Sequence, residues 1–301
     1  MKKPNLFIVG HQKSGTSALY KFLKQHPDIF MSYIKEPFYF AEDLLEEKKQ
    51  VMKLPYYTTK KGYMDLFRKW KNEKIAGEAS TVYLYSKVAA KKIHDFNPDA
   101  KIIMMLREPV SYLYSLHMQG MISNGEDQDF ETALKLEDDR RKGKNLPNKY
   151  AYRSYFYYSD WCKYSEHVQR YLKLFPKKNI KIIIFEDFKK DNIKIAKEVF
   201  RFLGVDDSFT PKVGVVNPSK KVRFPRLKFF LENSFNTVKR FLPQKFHRLL
   251  AKSAGKILFK KQERVPLNAE LKKQLMRKYK PEVARLSKLL NIDLEEKWGY
   301  K

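Results

Sequence analysis

The sequence predicts an α/β fold: a three-layer sandwich around a central, mainly parallel sheet, with a P-loop-like nucleotide-binding architecture. Short, wholly apolar runs alternate with helix-period segments as far as about residue 210, which is typical of strands covered on both faces. A glycine-containing turn joins the first such run to the first helical segment, as in many nucleotide-binding folds. We expect a single domain over residues 1–301, with a core at about 1–222 and a basic helical C-terminal region at about 223–301 packed on it.

The strands are predicted from apolar runs that end at glycine, a charged residue or a turn. Taken in order, these runs are Leu6–Val9, Ile29–Met31, Lys74–Gly77, Lys101–Leu106 and Ile180–Phe185.

The helices are predicted from apolar residues that recur with a period of 3.6, and several end at Pro or Gly signals such as His26-Pro27 and Gly204. Their predicted ranges are Ser17–Gln25, Ser86–Phe96, Pro109–His117, Asp160–Leu174, Ile193–Leu203 and Asn268–Leu290. Residues 125–148 are charged and are expected to form a loop with one short helix. Residues 223–261 carry eleven Lys/Arg and one acidic residue, Glu232, and are expected to form basic amphipathic helices.

The charge balance favours anionic partners. Lys and Arg number 62 against 34 Asp and Glu, so the formal net charge is +28, which suits nucleic acid, a phospholipid surface, an acidic glycan or a phosphate-rich ligand. An equally weighted interpretation is a solvated lysine-rich surface with no specific partner.

The single cysteine, Cys162, excludes an intramolecular disulfide framework, and the scattered histidines predict no transition-metal site. Apolar runs are too short for a membrane span or a cleaved leader, so we expect a cytoplasmic protein, with contact between residues 223–261 and an anionic membrane as a further possibility.

Residues 10–17, Gly-His-Gln-Lys-Ser-Gly-Thr-Ser, are the first candidate site. A turn between a strand and a helix offers free backbone N–H groups and the positive end of the helix dipole, and Lys13 adds a full charge. The segment differs from a Walker A loop, in which the lysine follows the last glycine. We predict an anion-binding loop; the alternative is an ordinary turn with an exposed lysine.

Two further segments carry suitable chemistry. Lys35-Glu36-Pro37 pairs a cation with a carboxylate that could remove a proton. Arg107 follows a buried strand, where ligands bind in open α/β sheets, and Ser115 lies eight residues later on the predicted helix. An arginine and a hydroxyl suit a second phosphate, although a salt bridge from Arg107 to Glu108 or another acid is an even alternative.

In this order and spacing the three segments resemble the sulfotransferases that use 3′-phosphoadenosine 5′-phosphosulfate (PAPS). Lys13-Ser14-Gly15-Thr16-Ser17 is similar to the family's 5′-phosphosulfate loop, and Arg107 with Ser115 to its 3′-phosphate motif. Lys35-Glu36-Pro37 is similar to the motif of the heparan-type and bacterial carbohydrate branch.

The resemblance implies roles for particular residues. Glu36 would be the general base, Lys13 and Lys35 would stabilise developing charge, and Glu78 with Lys35 would bind the acceptor. A late loop would add three contacts to the 3′-phosphate, from Lys220, Lys221 and Arg223. His11 and Glu78 remain alternative bases.

The implied reaction moves a sulfuryl group from PAPS to a hydroxyl or amine of a glycan, glycolipid or other small acceptor, and releases 3′,5′-ADP without a metal. Two other classes compete with it. A P-loop-like nucleotide kinase would need a Walker lysine and a magnesium-binding acid, and a basic nucleic-acid-binding protein should show a recognisable binding module. The sequence shows neither set of features, so we expect no specific nucleic-acid partner.

Overall fold

Five strands form the central sheet of the structure, a computed structural model that describes residues 2–45, 58–123, 125–148, 150, 152–213, 220–222, 259–261 and 266–301. The strands are β1 (Leu6–Ile8), β2 (Ile29–Met31), β3 (Ile75–Ala79), β4 (Lys101–Leu106) and β5 (Ile180–Ile184). Their order is β2-β3-β1-β4-β5, and every pairing is parallel. The predicted α/β fold is therefore confirmed. Because the strands are parallel, the loops that follow them meet at one edge of the sheet.

Helices connect the strands. In chain order they span Thr16–Leu23, Glu42–Leu45, Lys60–Asp65, Ala89–Phe96, Pro109–Ser123, Phe130–Lys135, Glu137–Arg141, Tyr158–Trp161, Tyr164–Leu172, Phe185–Lys190, Asn192–Leu203, Ala269–Leu290 and Leu294–Trp298.

Several predicted segments need adjustment. Residues 125–148, expected to contain one short helix, contain two, Phe130–Lys135 and Glu137–Arg141. The segment predicted as one helix at Asp160–Leu174 is two helices, because the backbone of Lys163 leaves helical geometry at ψ 55°. The helix that begins at Pro109 continues to Ser123, beyond the predicted end at His117. Phe185, the last residue of the predicted fifth strand, begins a helix instead.

The core lies on both faces of the sheet because side chains alternate along each strand. Leu6 and Ile8 pack against the first helix and the Asn192–Leu203 helix in one layer. Phe7 points to the opposite layer, where its ring contacts Phe40 with 5.6 Å between centroids. All three strand residues are fully buried, so β1 occupies the centre of a three-layer arrangement.

The chain divides into two compact units, Met1–Gly214 with Asn268–Lys301, and Val215–Leu267. Within the first unit, the Ala269–Leu290 helix contacts the Tyr164–Leu172 helix, where the Ser165 amide donates to Glu282 at 2.6 Å.

The second unit is described at one antiparallel strand pair, β6 (Lys220–Val222) with β7 (Phe259–Lys261). Residues 259–261 are therefore a strand, which corrects the helical prediction there; the rest of the predicted basic helical stretch, residues 223–258, lies outside the described residues. The single-domain organisation stays a prediction.

Candidate active site

The loop after β1 closely approaches β4 and then turns sharply into the first helix. A Cβ on Gly10 would lie 2.1 Å from the backbone nitrogen of Met105, so a side chain there is sterically excluded. Gly15 has φ 90° and Lys13 has φ 63°, both in the left-handed region. The helix that follows has no side-chain cap and no acidic residue in its first turn. Its N-terminus is therefore suited to an external anion.

Two side chains of this loop form hydrogen bonds with other residues of the protein. Lys13 Nζ donates to Gln119 Oε1 at 3.2 Å, and the Ser14 hydroxyl, which is fully buried, donates to the Gln12 carbonyl at 3.5 Å. Thr16 is buried and Ser17 is half-buried at the start of the helix. Gln119 was missed by the sequence analysis, although it lies one helical turn after Ser115 and hence on the same helix face.

Arg107 connects the second predicted anion-binding segment to the first. Its Nη1 donates to the carbonyl of Lys13 at 3.0 Å, and its guanidinium lies 4.8 Å from the centre of the Phe185 ring. The Glu108 carboxylate is directed at the start of the following helix, where it accepts from the amides of Val110 and Ser111 at 2.8 and 2.6 Å. Those bonds cap the Pro109–Ser123 helix.

Ser115 lies within the Pro109–Ser123 helix and is 4% exposed. The two predicted phosphate-binding segments thus meet through the Arg107–Lys13 contact, while the phosphate contacts of Arg107 and Ser115 stay predictions.

Glu36 lies in the loop after β2, where its backbone has φ 63° and its amide donates to the Ala79 carbonyl at 2.9 Å. Its carboxylate pairs with the Lys35 ammonium group and accepts from the Thr81 amide at 2.8 Å and the Thr81 hydroxyl at 3.1 Å. The Lys35 and Glu36 side chains are 22% and 26% exposed, so both are partly accessible to solvent. Thr81, which fixes it, was not singled out from the sequence, because the two residues are 45 positions apart.

The pKa of the buried Tyr152 responds both to Gln12, in the loop after β1, and to Glu36. Burial raises the pKa of its phenol well above the ordinary value, the neighbouring Tyr155 and Glu36 raise this pKa further, and a side-chain hydrogen bond with Gln12 lowers it. Gln12 of this loop and the candidate base Glu36 thus both influence the pKa of one buried tyrosine.

Glu78, predicted to bind the acceptor, is fully buried in β3. Its carboxylate accepts from Tyr83 at 2.8 Å, Tyr63 at 3.2 Å and Ser80 at 2.7 Å. Burial raises the pKa of this carboxyl from 4.5 to about 7, against the lowering effect of the three hydrogen bonds. With no exposed surface to touch an acceptor, Glu78 is better placed to support its neighbours than to bind substrate.

His11 is likewise enclosed. Its ring is fully buried, stacks on Tyr112 at 4.8 Å between centroids, and its two nitrogens have no hydrogen-bond partner in the described part of the chain. Burial lowers the pKa of His11 to about 3, so the imidazole is neutral near pH 7. His11 and Glu78, the alternative bases, both lie inside the protein, whereas Glu36 is accessible.

The remaining predicted contacts lie in the second unit. Lys220 and Lys221 are in β6, and Arg223 lies outside the described residues. Within the described ranges, no group of three His, Cys, Asp or Glu residues could hold a metal ion. No helix among the residues described is long and apolar enough to cross a membrane.

Comparisons with known proteins agree on one family. The model of the sulfotransferase domain matches residues 3–256. The human bifunctional heparan sulfate N-deacetylase/N-sulfotransferase 3 is 30% identical over 207 residues, which cover 67% of this chain and 22% of the relative. Mouse carbohydrate sulfotransferase 15 is 26% identical over 247 residues, covering 67% of this chain and 44% of the relative. The chain thus spans less than half the length of these curated relatives.

Among solved structures, the crystal structure of a sulfotransferase from Alicyclobacillus acidocaldarius matches with a TM-score of 0.75 and 28% identity. The match covers 98% of this chain and 99% of that one.

Proposed function

Because this chain belongs to the sulfotransferase family, we propose that it transfers the sulfuryl group of PAPS to a hydroxyl or amine of a carbohydrate acceptor and releases 3′,5′-ADP. The observation that carries the proposal is the hydrogen bond from Arg107 to the Lys13 carbonyl, which joins the two predicted anion-binding segments. Glu36 follows β2 at the same edge of the parallel sheet. A donor with phosphate at one end and phosphosulfate at the other requires two such segments. The carbohydrate acceptor is supported by the names of the relatives, a heparan sulfate N-sulfotransferase and a carbohydrate sulfotransferase.

The residues present fit an anionic nucleotide. The first helix begins without a cap, Gly15 and Lys13 turn the loop sharply in front of it, and Lys13 supplies a cation. We assign residues 13–17 to the phosphosulfate end of PAPS, and Arg107 with Ser115 to its 3′-phosphate. Lys220, Lys221 and Arg223 remain candidates for the same phosphate. PAPS supplies a sulfuryl group attached to phosphate through a bond that breaks on transfer.

Glu36 takes the proton from the acceptor as its oxygen or nitrogen forms the bond to sulfur. Thr81 donates two hydrogen bonds to the Glu36 carboxylate and so holds it in one orientation. Lys35 is paired with Glu36 before reaction. When the Glu36 carboxylate takes the proton and becomes neutral, the Lys35 ammonium group stabilises the negative charge that develops on the sulfuryl oxygens. Lys13 and the helix N-terminus stabilise negative charge that develops on the leaving phosphate oxygen. No metal is assigned a role in this proposal.

A ligand-binding test separates this function from its competitors. Thermal unfolding is measured with 3′,5′-ADP, ATP or duplex DNA, because a ligand that binds only the folded state raises the melting temperature. We expect stabilisation by 3′,5′-ADP and none by ATP or DNA. Stabilisation by ATP alone would favour a kinase, and by DNA alone a nucleic-acid-binding protein.

A transfer assay then identifies the acceptor. Radiolabelled sulfate from PAPS is followed into oligosaccharides with free hydroxyls, N-deacetylated oligosaccharides, glycolipids and phenols. Label in a sugar-containing acceptor supports the proposal, and label confined to phenols contradicts the carbohydrate class. Label confined to glycolipids presented on anionic vesicles would support a membrane-peripheral enzyme rather than a freely cytoplasmic one.

A further inference from the structure

Glu78 occupies a costly position for a carboxylate. It lies in β3, beside the fully buried Phe7 of the central strand, and has no exposed surface. Strands of parallel sheets are ordinarily apolar, and a buried carboxylate lowers stability unless it is hydrogen-bonded. Three hydroxyl groups meet this need, from Tyr63, Ser80 and Tyr83.

The ionised carboxylate determines which way two of these hydroxyls point. A carboxylate accepts hydrogen bonds and cannot donate them, so Ser80 and Tyr83 must direct their hydrogens toward Glu78. The lone pairs of both hydroxyls are then available to other donors. The amide of Phe38 donates to the Ser80 hydroxyl at 3.2 Å, and the amide of Phe40 donates to the Tyr83 hydroxyl at 3.3 Å.

These two amides belong to the loop that carries the proposed base. Glu36 has φ 63° and Phe38 has φ 54°, a conformation that persists in non-glycine residues when surrounding contacts enforce it. The partners of this loop all lie within residues 79–83. Besides the bonds to Ser80 and Tyr83, the Glu36 amide donates to the Ala79 carbonyl at 2.9 Å. The loop at residues 36–40 is thus held by residues 79–83 around the buried Glu78.

We propose that Glu78 is a positioning residue for Glu36. Its carboxylate orients the hydroxyls of Ser80 and Tyr83, and these hold the backbone of residues 36–40 so that the Glu36 carboxylate faces the acceptor. The inference rests on the proposed function of Glu36 as general base. It explains why a carboxylate that contacts no substrate is kept inside the sheet.

Glu78→Gln tests the role directly, because it keeps the shape and replaces one accepting oxygen by a donor. We expect kcat at pH 8 to fall about 10-fold or more, the scale of a small misplacement of a reacting group. The KM for PAPS should stay within about twofold of wild type, because donor contacts are unchanged. The melting temperature should stay the same or rise, since an ionised group is no longer buried.

Two tyrosine variants form a matched pair. Tyr83→Phe and Tyr63→Phe each remove one hydroxyl that donates to Glu78, but in the described part of the chain only the Tyr83 hydroxyl also accepts from the 36–40 backbone. We expect Tyr83→Phe to lower kcat about fivefold or more and Tyr63→Phe to change it less than about twofold. Equal losses in the two variants, or none in either, would contradict the proposed path. This comparison remains decisive if Glu78→Gln does not fold.

A double-mutant cycle separates positioning from general damage. If Glu78 acts through Glu36, adding Glu78→Gln to Glu36→Gln should leave the residual rate unchanged, whereas independent effects would multiply. An active wild type whose kcat survives Glu78→Gln refutes the positioning role alone. A wild type that transfers no sulfate from PAPS to any acceptor refutes the proposed function, and the positioning role with it.

Discussion

Arg107→Ala should damage both donor binding and the chemical step. The variant removes the hydrogen bond from the guanidinium to the Lys13 carbonyl at 3.0 Å and the contact with the Phe185 ring. Hydrogen bonds from charged donors contribute about 1.5–3 kcal/mol. Loss of the Arg107–Lys13 hydrogen bond, which we call the tether, should therefore by itself lower kcat/KM about 10- to 100-fold. A phosphate contact would add a further rise in the KM for PAPS. Because Lys13 is held at φ 63°, its loop should relax when the tether is lost, moving the ammonium group and lowering kcat.

Ser115→Ala is the matched comparison for Arg107→Ala. Ser115 is predicted to contact the same 3′-phosphate, so its loss removes binding energy that is the same in ground state and transition state. We expect a several-fold rise in the KM for PAPS with unchanged kcat. The assay is initial rate against PAPS concentration at saturating acceptor, with melting temperatures as a check on folding. If Arg107→Ala also raises KM alone, the tether has no role in catalysis and the reasoning fails.

Four other outcomes are expected. Lys13→Ala should lower kcat about 10²-fold or more in the transfer assay, as removal of a charge-stabilising donor does; a change of only a few-fold would exclude the role. Glu36→Gln should lower kcat about 10²- to 10⁴-fold with donor binding near wild type by thermal shift. Between pH 4.5 and about 7 the folded Glu78 keeps a proton that the unfolded chain has released, so stability should fall as pH rises through this window, by about 3 kcal/mol. Urea unfolding at pH 5 and 8 would show this fall in wild type and not in Glu78→Gln. Glu126→Gln leaves Arg140 without the carboxylate it binds at 2.7 and 2.8 Å, and urea unfolding should show a loss of about 3–5 kcal/mol.

The amino-acid sequence was sufficient for the fold class and for the location of the candidate motifs. The apolar run at residues 102–106 predicts a buried strand of a covered sheet, and the structure has one at Lys101–Leu106. The glycine turn at residues 10–15 precedes a helix in the structure as expected. Such features are local, because hydrophobic periodicity and turn chemistry act over a few residues. The break at Lys163 was not predicted, since the amphipathic pattern continues through it.

The contacts that make these motifs one site were decided by the tertiary structure. Arg107 bonds to Lys13 across 94 positions, and Thr81 bonds to Glu36 across 45. The first pair meets because β4 lies beside β1, and the second because β3 lies beside β2, an order that no local pattern encodes. Burial was decided in the same way: Glu36 and Glu78 are both carboxylates within plausible motifs, but the parallel pairing of β3 with β1 encloses Glu78 while the loop after β2 leaves Glu36 accessible. A side chain's neighbours depend on which strands pair, and strand pairing is a property of the whole chain rather than of any one segment.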